Sequence, residues 1–114
     1  MKSNAYLDYL LGDIFEEALQ VTSRPMMGGY ILYSEGKTFA IAENDQLWFK
    51  GSHDVAEWYL SRGSKKFSYS KEGKEQTMNY YLVPEEILED KNKLNEWIDV
   101  ALSVATLPKK KQKN

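Results

Sequence analysis

The sequence predicts an α+β domain: an antiparallel sheet with helices over one face, in the order α-β-β-β-α-β-β-α. Three observations predict it. Apolar residues recur at helical spacing near both ends of the chain. Between them, short runs rich in aromatic and β-branched residues alternate with polar turns. And 114 residues suit one domain that buries its own core without staples.

Each element has a local reason. Leu7, Leu10, Leu11, Ile14, Phe15, Ala18 and Leu19 set the first helix, with Ser3 or Asn4 placed to cap it. Gly12 weakens that helix by roughly 1 kcal/mol relative to alanine. The helix is expected to stop near Thr22-Ser23, because the residue before Pro25 avoids the α region. Three strands come next: Met26 to Tyr33, Thr38 to Ala42 and Leu47 to Lys50, joined by the turns "SEGK" and "ENDQ". A short helix carries Val55, Trp58 and Tyr59 on one face, with Ser52 or Asp54 to cap it and Gly63 to end it. Two more strands, "KFSYS" and "TMNYYLV", flank the turn "KEGK". Pro84 fits the first position of the last helical segment, and Glu85 and Glu86 suit the positive end of its dipole. Asp90 restarts the helix, and Leu94, Trp97, Ile98, Ala101, Leu102 and Ala105 form its apolar stripe, which Pro108 ends. The expected domain is 1–107. The lysine-rich tail 108–114 has nothing to bury and is expected to be disordered.

Composition excludes several functions. With no cysteine, disulfides, thiolate metal sites and cysteine nucleophiles are excluded. A formal charge of −2 gives no global field for nucleic acid. Asp8, Asp13, Glu16 and Glu17 interrupt the N-terminal apolar residues, so no signal peptide is read there. No run approaches the ~20 apolar residues of a membrane span. The expectation is a cytoplasmic protein.

The candidate residues each have a structural role that competes with a functional one. "RPMMGG", Arg24, Pro25, Met26, Met27, Gly28 and Gly29, holds two glycines after a helix and before a strand. A phosphate loop needs the opposite order. The glycines therefore mark a bulge or a close approach of another backbone or side chain. Met26 and Met27, as strand neighbours, point to opposite faces. Arg24 suits a salt bridge or a helix C-terminal contact. His53 is the only histidine, and nothing beside it supports a metal. Adjacent carboxylates such as Glu85-Glu86 do not face each other on a helix. The aromatics read as core or protein interface, since basic residues do not interleave with them in a clear pattern.

Three stretches carry a family resemblance: "RPMMGGYILYSEGKTFAIAENDQLWFK", "SRGSKKFSYS" and "MNYYLVPEEILEDKNKLNEWIDVALSVA". In order and spacing, from Val21 to Ala105, the chain resembles the N-terminal domain of the TfoX (Sxy) competence-regulator family. The Arg-x-Met-x-Gly-Gly segment, Phe39-Ala40 and the Tyr-Tyr-x-x-Pro-Glu-Glu segment ending at Glu86 carry it; Met27 stands where a phenylalanine is expected. The resemblance implies a fold like that of type III secretion chaperones, a homodimer by fold analogy, and a link to regulation of DNA-uptake competence. It implies no catalytic residues.

The reading is a non-enzymatic regulatory or adaptor domain that acts through protein contacts, with no cofactor and no metal. Arg24 to Gly29 form its candidate contact surface, and its protein partner is unidentified. Nucleic acid is not expected to bind the isolated domain. The alternatives are a nucleic-acid-associated regulator using Arg24, Lys65, Lys66 and the tail, and a small-molecule-binding domain or enzyme with a pocket between sheet and helices, which a polar lining of Arg24, His53 and a tyrosine would support.

Overall fold

A computed structural model describes residues 5–26 and 28–107. The expected cap at Ser3 or Asn4, Met27 and the tail 108–114 lie outside the described residues.

The first helix is shorter than its apolar spacing predicts. α1 covers Ala5–Tyr9 and widens into a π turn, Leu10–Ile14. There the Phe15 amide donates to the Leu10 carbonyl at 2.9 Å, a bond one residue longer than an α-helix makes. The wide turn brings Leu10 and Phe15 onto one side, and both are buried. Phe15 then meets Phe39 edge-on, ring centroids 5.5 Å apart. A 3₁₀ turn, Glu17–Leu19, ends at Gln20, whose left-handed backbone (φ 50°) turns the chain away.

The next segment departs from the expected order. Thr22 and Ser23 are not the end of a helix but part of a strand. β1 (Val21–Met26) pairs antiparallel with β2 (Gly29–Ser34), from Val21 opposite Ser34 to Met26 opposite Gly29. Buried Ser34 fastens this hairpin to the preceding turn by donating its hydroxyl to the Leu19 carbonyl at 2.7 Å. The expected strand Met26 to Tyr33 is thus two strands bent about Gly28. The order becomes α-β-β-β-β-α-β-β-α once α3 and α4 are counted as the single helical segment of the expectation.

The other strands lie close to their expected places: β3 (Lys37–Glu43), β4 (Gln46–Lys50), β5 (Lys66–Lys71) and β6 (Lys74–Leu82). The six-stranded sheet runs β1-β2-β3-β4-β6-β5, and every neighbouring pair is antiparallel. Three tight turns have two residues each at positive φ: Glu35-Gly36, Asn44-Asp45 and Glu72-Gly73. That backbone matches the twist of the strands they join.

α2 (Ala56–Leu60) lies between β4 and β5, and Val55 caps it without a side-chain bond, so neither Ser52 nor Asp54 does the expected work. Pro84 sits just outside α3 (Glu85–Leu88), one position before its expected place. α4 (Lys91–Ser103) starts as expected: the Asp90 side chain accepts from the Lys93 amide at 3.2 Å. It stops at Ser103, and Thr106 returns to the sheet in a two-way bridge with Thr38.

The helices cover one sheet face. There Leu10, Leu32, Phe39, Phe49, Tyr59 and Trp97 are fully buried in a single cluster. A second, smaller cluster, Ile41, Trp48, Phe67 and Tyr80, occupies the opposite face with Met26, Met78 and Leu82 around it.

Candidate functional site at the Tyr6 corner

The described residues of "RPMMGG" do not form one surface. Met26 packs at the margin of the second cluster. Exposed Arg24 lies opposite Ile31 in the β1–β2 pair and lines an edge hollow of ≈ 330 Å³ with Thr22, Ser23, Tyr33 and Gly36. Among the described residues it makes no ion pair or side-chain hydrogen bond, so the expected salt bridge or helix C-terminal contact is absent there. Pro25 is exposed on the edge strand.

The glycines sit elsewhere, and their backbone explains them. Gly28 has φ +81°, the left-handed region that favours glycine. Gly29 lies opposite Glu43, and a Cβ there would run into the Ala42 carbonyl oxygen and stand 3.0 Å from Glu43 Cβ. The expected close approach is therefore real, although the sheet's irregularities fall at Leu32/Tyr33 and Lys66/Phe67 instead.

Gly28 and Gly29 line a small hollow of ≈ 160 Å³ with Tyr6, Ala42, Glu43, Asn44 and Asp45. An adjoining hollow of ≈ 290 Å³ shares Tyr6 and Asp45 with it and adds Tyr9, Gln46, Leu82, Val83, Pro84, Glu85 and Leu88. Two stretches far apart in sequence, the glycine pair and "LVPE" (Leu82 to Glu85), therefore meet at Tyr6. The tight Asn44-Asp45 turn and the start of α3 hold the corner in place. Tyr6 and Tyr9 stand one turn apart on α1 with ring centroids 6.0 Å apart.

The corner's electrostatics are acidic. Burial pushes the Tyr6 hydroxyl up, and the neighbouring Tyr9, Asp45 and Glu85 push the same way, to about 12. A phenol with such neighbours stays neutral and keeps its proton to donate. The corner thus offers aromatic surface, hydroxyl donors and carboxylates, which suit a basic and partly apolar group.

Sequence reasoning does not reach this corner. It assigns Glu85 to the α3 dipole and Asp45 to a turn, and it does not single out Tyr6 or Tyr9. No spacing rule links positions 6, 28, 45 and 85; only strand pairing does. Of the residues that would support the small-molecule alternative, Arg24 and Tyr33 line one hollow and His53 does not line it. Among the described residues no group of three or more His, Asp or Glu side chains is placed to hold a metal. No described helix is long and apolar enough to cross a membrane.

A six-stranded antiparallel sheet with one helical face and a half-open acidic corner defines a small α+β domain. Comparison with known families places it further: residues 13–105 match the TfoX N-terminal domain, and the chain belongs to that family. A search of curated proteins finds no match.

Proposed function

We propose that this chain is a non-enzymatic, cytoplasmic regulatory or adaptor domain that works by protein contact, with the Tyr6 corner as its contact surface. One observation carries the reading: parts of two fingerprint segments of the family converge on a single acidic and aromatic corner. Its two hollows, ≈ 290 and ≈ 160 Å³, each lie at or below the lower end of the ~300–1,000 Å³ typical of small-molecule pockets, and are open at the surface. They fit one or two side chains of a partner, and the carboxylates favour lysine or arginine there. The regulation of competence genes, the chaperone-like fold and the homodimer implied by the resemblance belong to this reading as proposals.

A capture experiment with a charge control tests it. The wild-type chain and the Asp45→Lys/Glu85→Lys variant are used as baits in native cytosol, and bound proteins are identified by mass spectrometry. Proteins held by the wild type and lost from the variant support the reading. An identical set on both baits removes the corner from the function. Sequence-selective DNA binding by residues 1–107 that persists at physiological salt promotes the nucleic-acid alternative, because simple phosphate attraction weakens as salt rises.

A further inference from the structure

The β5–β6 hairpin is built unlike the rest of the sheet. β4 pairs with β6 only between Trp48–Lys50 and Leu82–Tyr80; beyond it the Val83 amide donates to the Leu47 carbonyl at one end and the Gly51 amide to the Asn79 carbonyl at the other. Beyond that point the two strands run on as a ribbon, and every residue from Ser68 to Thr77 is exposed. A two-stranded ribbon is marginal on its own in water, so a third strand along it would gain most.

β5 offers the free edge. Glu72 and Gly73, both at positive φ, form a two-residue turn closed by the Lys71–Lys74 pair. In such a hairpin the closing pair exchanges both hydrogen bonds and alternate pairs do the same. Tyr69 and Phe67 therefore bond inward to β6, while Ser68 and Ser70 hold their N–H and C=O groups outward. No proline interrupts β5, whereas Pro25 removes a donor from β1 at the other edge of the sheet.

Charge selects the occupant. Lys66 and Lys71 stand at the two ends of β5, and Lys65 and Lys74 flank them. A second copy of β5 laid antiparallel and centred on Ser68 would set Lys71 opposite Lys65 at both ends, which is destabilising. The chain's own tail "PKKKQKN" is basic and is repelled as well. We propose that the β5 edge binds an extended acidic peptide segment of another protein by strand addition, its carboxylates at the lysine ends and an apolar side chain against half-exposed Tyr69. The inference shares with the proposed function only that the occupant is a polypeptide, and it uses a different part of the molecule.

The probe is a fluorescent nine-residue peptide with two glutamates at each end and alternating valine and threonine between them, titrated into the full chain by anisotropy, beside a peptide with lysine in place of glutamate. The glutamate peptide should bind and the lysine peptide should not. Lys66→Glu/Lys71→Glu should weaken binding at least tenfold, and Ser70→Pro, which removes one outward donor, should abolish it. The exposed lysine variant keeps the fold even where the proline variant does not, and thermal melts report both. Asp45→Lys/Glu85→Lys should bind the peptide as the wild type does, which separates this site from the corner. Absence of binding, or equal binding to the wild type and the lysine variant, leaves the lysines as guards against edge pairing and overturns the proposal. So does a dimer in sedimentation velocity that Ser70→Pro dissociates.

Discussion

The two faces of the sheet bury aromatic residues in different ways. On the helix side, Trp97 from α4 meets Trp58 and Tyr59 from α2 at 5.5 and 5.4 Å, and Tyr59 stacks on Tyr81 of β6 at 5.0 Å. The Tyr59 hydroxyl donates to the Lys50 carbonyl at 2.8 Å, so its polar atom is satisfied inside the stack. On the other face no described helix covers the sheet. Trp48 and Phe67 meet edge-on at 4.8 Å and shelter each other together with Ile41 and Tyr80. There the Trp48 indole N–H is buried without a hydrogen-bond partner. One face is a core closed by separate elements, and the other is a cluster closed by its own side chains. Separate elements hold the walls of the first in place when a ring is removed; the second borders a two-stranded ribbon that no described helix backs.

The largest expected effects test that contrast. Trp97→Ala should cost about 3–5 kcal/mol in denaturant unfolding, since three elements fix the walls of the cavity it leaves. Phe67→Ala should cost less, about 3 kcal/mol at the low end of the same range, because fewer elements hold the walls around it. Equal losses would show that the open face is as rigid as the covered one. Next comes the rim of the open face. Gly29→Val should lower stability by about 1–3 kcal/mol through the clash with Ala42 and Glu43. Lys71→Ala on the exposed ribbon should leave the melt almost unchanged, and matching melts for the two would remove the structural account of the glycine pair.

Alkaline titration probes both faces together. Burial raises Tyr80 on the open face, and Tyr33 adds to the shift, to about 12. Burial raises Tyr59 and Tyr81 on the covered face, with Tyr81 adding to the shift of Tyr59. These phenols hold their protons more tightly folded than unfolded. Their contribution is complete below the unfolded value near 10 and is lost as pH climbs from ~10 towards 12. Melting temperature should therefore fall over that window, and Tyr80→Phe should soften the fall. A flat profile from about pH 9 to about pH 12 would contradict the burial of these hydroxyls. Among the buried rings the smallest effect is expected from Trp48→Phe, which removes the unpaired N–H at the cost of some packing. Stability should stay within about 1 kcal/mol of the wild type, and a large loss would mean that the N–H has a role in the cluster.

Local chemistry determined much of this protein before any contact was known. Alternation in "KFSYS" and "TMNYYLV" specifies a hairpin, the Glu-Gly and Asn-Asp pairs specify tight turns, and the stripe from Leu94 to Ala101 specifies α4 with Asp90 as its cap. Helical spacing alone puts Trp97 in the core, where it lies. These signals are legible because each is decided within a few residues, by dihedral preference or by which side chains share a face. Tertiary structure decided the rest. "VTSRPM" is polar and carries a proline, so it reads as the end of a helix running into a strand at Met26; all of it is a strand because β2 supplies its hydrogen bonds, and an edge strand tolerates Pro25. The first helix breaks because burying both Leu10 and Phe15 against Phe39 and Phe49 outweighs regular α spacing. The corner at Tyr6 has no local signature at all. Its residues are neighbours only because the sheet brings the Gly28 turn beside the Asn44-Asp45 turn and sets the end of β6 against α1, and pairing over such distances leaves no period in the sequence to read.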